Sequence, residues 1–227
     1  ISIVISRYFR NINIKYKKMD VIIEIPNQTL TKYEVDKEYN LLRMDRMLQT
    51  SMVYPGNYGY IPKTLGGDGD PLDIIMPVDY PIQPMSLVKV KPVGVIIMED
   101  EAGMDEKVIV YPDNKVDSRY QKINSLSDVP KETIDKIVHF FQHYKDLSPG
   151  KFVKVKSVKG KADALKIIKE AEDAYQNTQL SKINELKDLA IMGKTKTKSK
   201  SKKVMTGGRK KNKKINKHSR KVRHHRK

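Results

Sequence analysis

Three carboxylates fall within six residues in Gly66-Gly67-Asp68-Gly69-Asp70-Pro71-Leu72-Asp73, a glycine- and proline-directed stretch that leads into an apolar run. Held a few ångströms apart, two such charges repel by roughly 4 kcal/mol at an effective dielectric of 20. A cluster of this kind must take up protons, splay apart or bind cations. Its all-oxygen donor set suits a hard ion such as Mg²⁺. The competing reading is an exposed acidic turn, because Asp and Gly are common turn residues. Two sharper alternatives fail on spacing. A calcium loop of the EF-hand type starting at Asp68 wants Gly where Asp73 stands and Glu where Asp79 stands. Phosphatases with an aspartyl nucleophile place an Asp-x-Asp pair directly after a hydrophobic strand, but here Leu65-Gly66-Gly67 precedes it.

A second acidic group, Asp100-Glu101-Ala102-Gly103-Met104-Asp105-Glu106-Lys107, follows the apolar run that ends at Met98. By itself it reads as an acidic hairpin turn. Cations and phenols accompany the two groups. Lys32 and Glu34 are two apart, so on a strand they share a face. Arg46 lies two beyond Met44 in another short strand, and Tyr54, Tyr58 and Tyr60 cluster in YPGNYGY. Lys145 follows Ile134 by eleven residues, close to three helical turns, which aims it with the apolar stripe. A lysine there also complements a helix dipole, while the adjacent Tyr144 favours a polar site. His139 and His143 read as packing residues of the same helix.

Short β-rich runs alternate with turn residues between 21 and 112: Val21–Ile25, Lys32–Val35, Leu72–Met76, Leu87–Met98 and Lys107–Tyr111. This spacing predicts a small barrel rather than a layered α/β fold. A helix is predicted over Lys131–Lys145, where Ile134, Ile137, Val138 and Phe141 recur at helical spacing after Pro130. A second helical region covers 161–192, with a break expected near Asn177. No apolar run approaches the ~20 residues of a membrane helix, and ISIVIS lacks the length and cleavage site of a signal peptide. Cysteine is absent, which excludes disulfides and thiolate metal sites and is compatible with a reducing, cytoplasmic setting. Residues 1–20 read either as an ordinary N-terminal segment or as an extension ahead of a start at Met19.

The net charge of +18 suggests a nucleic-acid binder until it is located. Residues 194–227 hold 17 Lys or Arg and no acid, leaving 28 basic against 27 acidic side chains in 1–193. The tail has almost nothing apolar to bury and is expected to be disordered. Three segments follow: an N-terminal extension over 1–20, a folded domain over 21–193, and the basic tail over 194–227.

Asp68-Gly-Asp-Pro-Leu-Asp73 matches the D-x-D-P-x-D signature of the Mg²⁺-dependent, barrel-type inorganic pyrophosphatases. The segments VIIEIP, KYEVDKE, DRMLQTSMVYPGNYGYIPKTL, YPIQP, KPVGVIIMEDEAGMDEK and HFFQHYKDL resemble that family too, in family order over about 21–160. The compact spacing is similar to the bacterial-type enzymes. The resemblance implies an α+β protein, mainly β with flanking helices, built on a five-stranded OB-like closed barrel with the site at its mouth. It implies several Mg²⁺ ions. Asp68, Asp73 and Asp105 would hold the tightest, with Asp73 bridging to a second; Asp100 and Asp105 would hold one that arrives with substrate. Glu34 would support a fourth, with Glu24 and Glu101 as secondary ligands. Asp70 would be the general base; Tyr54, counted with it as catalytic, would lie among the phosphate-gripping groups. Lys32, Arg46, Tyr58, Lys107, Tyr144 and Lys145 would grip the phosphates of pyrophosphate. A homo-oligomer is implied, hexamer before dimer. The alternative is an OB-like module that binds nucleic acid through residues 194–227; the near-neutral domain and its acidic loops count against the barrel as the binding surface.

Overall fold

In the computed structural model, residues 19–36 and 38–205 are described. Two compact units part between Gln179 and Leu180. The first holds eight strands: β1 (Met19–Ile25), β2 (Thr31–Asp36), β3 (Leu41–Met47), β4 (Asn57–Tyr60), β5 (Asp73–Met76), β6 (Leu87–Asp100), β7 (Gly103–Pro112) and β8 (Val153–Gly160). Two helices follow the strand-rich part, α1 (Lys131–His143) and α2 (Lys161–Met205), with short 3₁₀ turns at Ser118–Tyr120 and Leu126–Asp128.

Mainly β structure with accompanying helices is what the sequence predicts. Six strands form one sheet in the order β1-β4-β5-β7-β6-β8, and β1 also pairs with β6. Met19–Ile22 of β1 lie against Leu87–Val90 of β6, while Ile22–Ile25 lie against Tyr58–Tyr60 of β4. β2 and β3 make a separate two-stranded ribbon. The strands facing the core are β-branched and apolar: Val21, Ile23, Ile74, Ile75, Val95, Ile96, Val108 and Ile109 are fully buried, which fits their preference for a pleated, packed surface. Gly59 lets β1 and β4 meet closely, since a Cβ there would stand 1.9 Å from the Ile22 carbonyl oxygen.

Two strands were not anticipated. β4 lies in the tyrosine-rich YPGNYGY, whose Pro and Gly residues interrupt any strand pattern. β8 carries the alternation Val153-Lys154-Val155-Lys156, and its many lysines mask a short half-buried edge strand. α1 begins after Pro130, carries Glu132 in its first turn and ends at His143. It buries Ile137, Phe140 and Phe141, each worth about 1.5–3 kcal/mol when withdrawn from water. Tyr144 is its C-cap, so Lys145 stands just beyond the helix rather than on it. α2 passes Asn177 without the expected break, and it continues through 194–205, a stretch expected to lack order. Lys is a good helix former, and no proline interrupts this run. Residues 206–227 and the extension up to residue 18 lie outside the described residues. In the second unit Leu180, Ile183, Leu186 and Leu189 are exposed. Among the described residues no helix is long and apolar enough to cross a membrane.

Candidate active site

One cleft of about 560 Å³ is lined by every residue singled out in the sequence for catalysis, metal or phosphate: Glu24, Lys32, Glu34, Arg46, Tyr54, Tyr58, Asp68, Asp70, Asp73, Asp100, Glu101, Asp105, Lys107, Tyr144 and Lys145. They come from seven strands, three loops and the end of α1.

The Asp68–Asp73 loop is built by local hydrogen bonds. The Asp70 N–H donates to Asp68 Oδ1 at 3.0 Å, and the Gly66 N–H donates to the Asp70 carbonyl at 2.7 Å. Gly69 takes φ of +88°, a turn conformation open to glycine. Thr64 clasps the loop's base, donating to the Ile61 carbonyl at 2.6 Å and accepting from the Leu72 N–H at 2.9 Å. The loop therefore presents Asp68 and Asp70 at the rim and delivers Asp73 onto the start of β5.

Register does the next part. Asp73 of β5 lies beside Lys107 in parallel β7, and Asp105 is two residues before Lys107, so it shares that face. Lys107, 4% exposed, donates to both Asp73 Oδ2 and Asp105 Oδ1. The Tyr58 hydroxyl also donates to Asp73 Oδ2. Burial disfavours the Lys107 ammonium, yet the two carboxylates more than offset it and hold its pKa above the ordinary lysine value. Burial raises the Asp105 carboxyl, against Lys107 and with Asp73. Burial and the Asp73 charge also push the Tyr58 phenol well up, so it stays a neutral donor.

Across the cleft, the β6–β7 hairpin turns at Glu101-Ala102-Gly103, with Gly103 at φ +125°. Lys145 Nζ reaches Asp100 Oδ2 at 2.8 Å and Glu101 Oε2 at 3.0 Å, and Lys151 reaches Glu101 Oε1 at 2.6 Å. Partial burial would raise the Glu101 carboxyl, but the hydrogen bonds from Lys151 and Lys145 bring it down to about 2. The position of Lys145 thus follows from its acidic partners, not from the helical stripe that suggested it.

The β2–β3 ribbon forms a third side. Lys32 and Glu34 share a face of β2 and pair with each other, and Arg46 lies opposite Lys32 on β3. Glu24 of β1 accepts from the Val35 N–H at 2.7 Å, tying the ribbon to the sheet. Its burial, less that hydrogen bond and with Asp73 and Glu34 nearby, raises its pKa to about 7. Tyr54 packs at a tilt between the Tyr58 ring at 5.5 Å and the Phe140 ring at 4.9 Å, forming an aromatic wall. His139 and His143, read as packing residues, are both exposed, and His143 pairs with Asp146 at 2.8 Å.

The sequence did not single out Asp36 and Arg43, which also line the cleft and pair with each other at its mouth. Their opposed charges on either side of the β2–β3 turn were the available signal. In all, nine carboxylates face five Lys or Arg side chains. Among the described residues no three acidic or histidine side chains converge closely enough to hold an ion as they stand; the ammonium groups of Lys107 and Lys145 lie between them. The donor chemistry, all oxygen with a surplus of negative charge, fits hard divalent cations. An anion entering this cleft would meet cations already paired with carboxylates and a surplus of negative charge, so it needs cations of its own to enter.

A family profile described as inorganic pyrophosphatase matches residues 21–176. The chain is 48% identical over 156 residues to an inorganic pyrophosphatase of Helicobacter pylori, spanning 69% of this chain and 90% of the relative. It is 47% identical over 154 residues to one from Saccharolobus solfataricus, spanning 68% and 90%. A solved structure of a Helicobacter pylori inorganic pyrophosphatase superposes with a TM-score of 0.69 at 45% identity, covering 72% of this chain and 99% of that one.

Proposed function

The chain belongs to the inorganic pyrophosphatase family, and from that premise we propose that its cleft hydrolyses inorganic pyrophosphate to two orthophosphates by direct attack of water. The observation that carries this reading is the single cleft in which nine carboxylates oppose five cations. The pairings that run from β1 through β4, β5, β7 and β6 back to β1 are read as the five-stranded OB-like barrel, with β8 added at one side and the cleft at its mouth.

In this reading the metal is Mg²⁺, held by Asp68, Asp73, Asp100 and Asp105, with Glu34, Glu24 and Glu101 as outer ligands. When bound, the ions neutralise the substrate's charge and acidify the water that attacks. Asp70, at the rim of its loop, accepts the proton of that water as its oxygen bonds to phosphorus. The bond from phosphorus to the bridging oxygen breaks, and the second orthophosphate leaves. Lys32, Arg46, Tyr58, Lys107, Tyr144 and Lys145 hold phosphate oxygens and stabilise the charge that builds on the leaving group. Tyr54 keeps the wall behind them dry and rigid. No covalent phosphoenzyme is needed.

Residues 21–193 are taken as the catalytic domain, and 194–227 as a basic tail that forms no part of the site. The relatives lend no support to nucleic-acid binding as the function, and a cleft rich in carboxylates would repel a phosphate backbone. A cytoplasmic homo-oligomer, hexameric before dimeric, remains part of the proposal.

The test is release of orthophosphate from pyrophosphate by the purified full chain, with Mg²⁺, with chelator, and with Ca²⁺ in place of Mg²⁺. Turnover should require Mg²⁺. Calcium should inhibit, because its looser coordination misplaces the groups it holds. Metal-free protein that turns over at the same rate after chelation would overturn the assignment.

A further inference from the structure

The β2–β3 ribbon contains a bulge that the catalytic assignment does not use. Lys32 faces Arg46 across the ribbon and Tyr33 faces Met44, so Asp45 is left without a cross-strand partner. In an unbroken strand consecutive side chains take opposite faces, and an inserted residue bends the strand and re-aims its neighbours. Here the insertion brings two consecutive side chains to one partner. Asp45 Oδ2 accepts from Arg46 Nη1 at 2.6 Å and stands 3.3 Å from Lys32 Nζ. Lys32 and Arg46 line the cleft; Asp45 does not.

We propose that Asp45 is a positioning residue: from behind the cleft it fixes the Lys32 ammonium and the Arg46 guanidinium at one mutual spacing, that of two oxygens on an incoming phosphate. This rests on the reading of Lys32 and Arg46 as phosphate-holding groups. Lys and Arg have the most rotamer freedom to lose when a substrate immobilises them. Two cations side by side also repel, and splay apart when nothing holds them. A single carboxylate oxygen hydrogen-bonded to the guanidinium and ion-paired with the ammonium reduces these two costs before substrate arrives. The charge-assisted hydrogen bond to Arg46 is short and directional, and the arginine fork fixes orientation as well as position; Lys32 is held by charge alone. Glu34 does not span the two cations: it pairs with Lys32 and faces Arg43 across the ribbon, not Arg46.

The role has an unusual sign. Asp45 is an anion close to where an anion binds, so as a mere charge it opposes substrate. Asp45→Ala therefore separates the two possibilities by direction. Positioning predicts that the variant raises KM for pyrophosphate about tenfold, the scale of one lost hydrogen bond to a charged group, with kcat changed less than threefold. Affinity for inorganic phosphate, measured by calorimetry with Mg²⁺ present, should weaken in parallel. Asp45→Asn keeps an oxygen acceptor and should recover most of the loss. Added to Arg46→Ala, the Asp45→Ala change should have little further effect, because its partner is already gone. Phosphate affinity in Asp45→Ala equal to or tighter than wild type would overturn the proposal. So would an Asp45→Ala loss as large in the Arg46→Ala background as in wild type. Phosphate binding is read without turnover, so it stays informative if pyrophosphate is not hydrolysed, an outcome that would sink the functional reading instead.

Discussion

Replacing Lys107 by methionine tests the electrostatic design of the cleft, because it removes the one cation between Asp73 and Asp105 while keeping the side-chain length. Both carboxylates bond the same nitrogen, so their oxygens are no more than about 6 Å apart if each bond has ordinary charge-assisted length. At an effective dielectric of 20 that separation gives roughly 3 kcal/mol of repulsion. Removing one member of a buried charge cluster typically costs about 3–5 kcal/mol, and the lysine side chain is 5% exposed. Metal-free Lys107→Met should therefore lose about 3–5 kcal/mol of stability at pH 8, read by urea unfolding. The pH dependence follows from sign. The Lys107 pKa is raised, so in wild type its contribution is complete below the ordinary lysine pKa and adds no slope between pH 5 and 9. The Asp105 carboxyl is already raised by burial, and without Lys107 it must rise further. The folded variant then retains a proton that the unfolded chain has released. Its deficit should grow as pH climbs above the unfolded carboxylate value near 4 and shrink toward acid. Millimolar Mg²⁺ should restore much of the loss, about 2.7 kcal/mol at a hundredfold excess over its dissociation constant. A deficit equal at pH 5 and pH 8, or one that Mg²⁺ leaves untouched, would refute this account.

Asp70→Asn should lower turnover by roughly 10²–10⁴, the usual contribution of a general base, with the midpoint of thermal unfolding unchanged; near-wild-type turnover would show that Asp70 is not the base. Glu24, with its pKa raised to about 7, holds a proton when folded that the unfolded chain releases above about 4.3. Metal-free wild type should thus lose roughly 3–4 kcal/mol as pH rises from about 4.3 to about 7, and Glu24→Gln, which keeps an acceptor for Val35, should flatten the slope in urea titrations across pH 4–8. Gly59→Ala forces a Cβ to 1.9 Å from the Ile22 carbonyl and should part β1 from β4, seen as lost near-ultraviolet dichroism or failure to fold. Deleting 194–227, which lies beyond the matched family segment, should leave Mg²⁺-dependent hydrolysis within about twofold, since surface charge acts mainly on encounter with the anion, while abolishing retention on heparin at low salt.

Much of the chemistry was legible along the chain because it is local. The Asp68–Asp73 loop carries its own turn, with glycine where φ is positive and aspartate bonding its own backbone, so three carboxylates in sequence remain three carboxylates in space. Strand periodicity likewise places Lys32 with Glu34, and Asp105 with Lys107. Composition was less informative about the basic segment: poverty in apolar residues forbids a core but not a helix, and α2 continues through 194–205. Edge strand β8 and the tyrosine-rich β4 escaped because lysine, proline and glycine dilute a four- to eight-residue strand pattern. Tertiary structure alone decided the pairings. Parallel register brings Asp73 to Lys107 across 34 residues, and Lys145 meets Asp100 from 45 residues away; no spacing in the sequence encodes either distance. The bulge at Asp45 is of the same kind, since an inserted residue exists only relative to the strand opposite. Sequence by itself thus determined which groups are available and which local turns hold them. Their protonation and their partners were set by long-range packing, because burial and charge act through space and not along the chain.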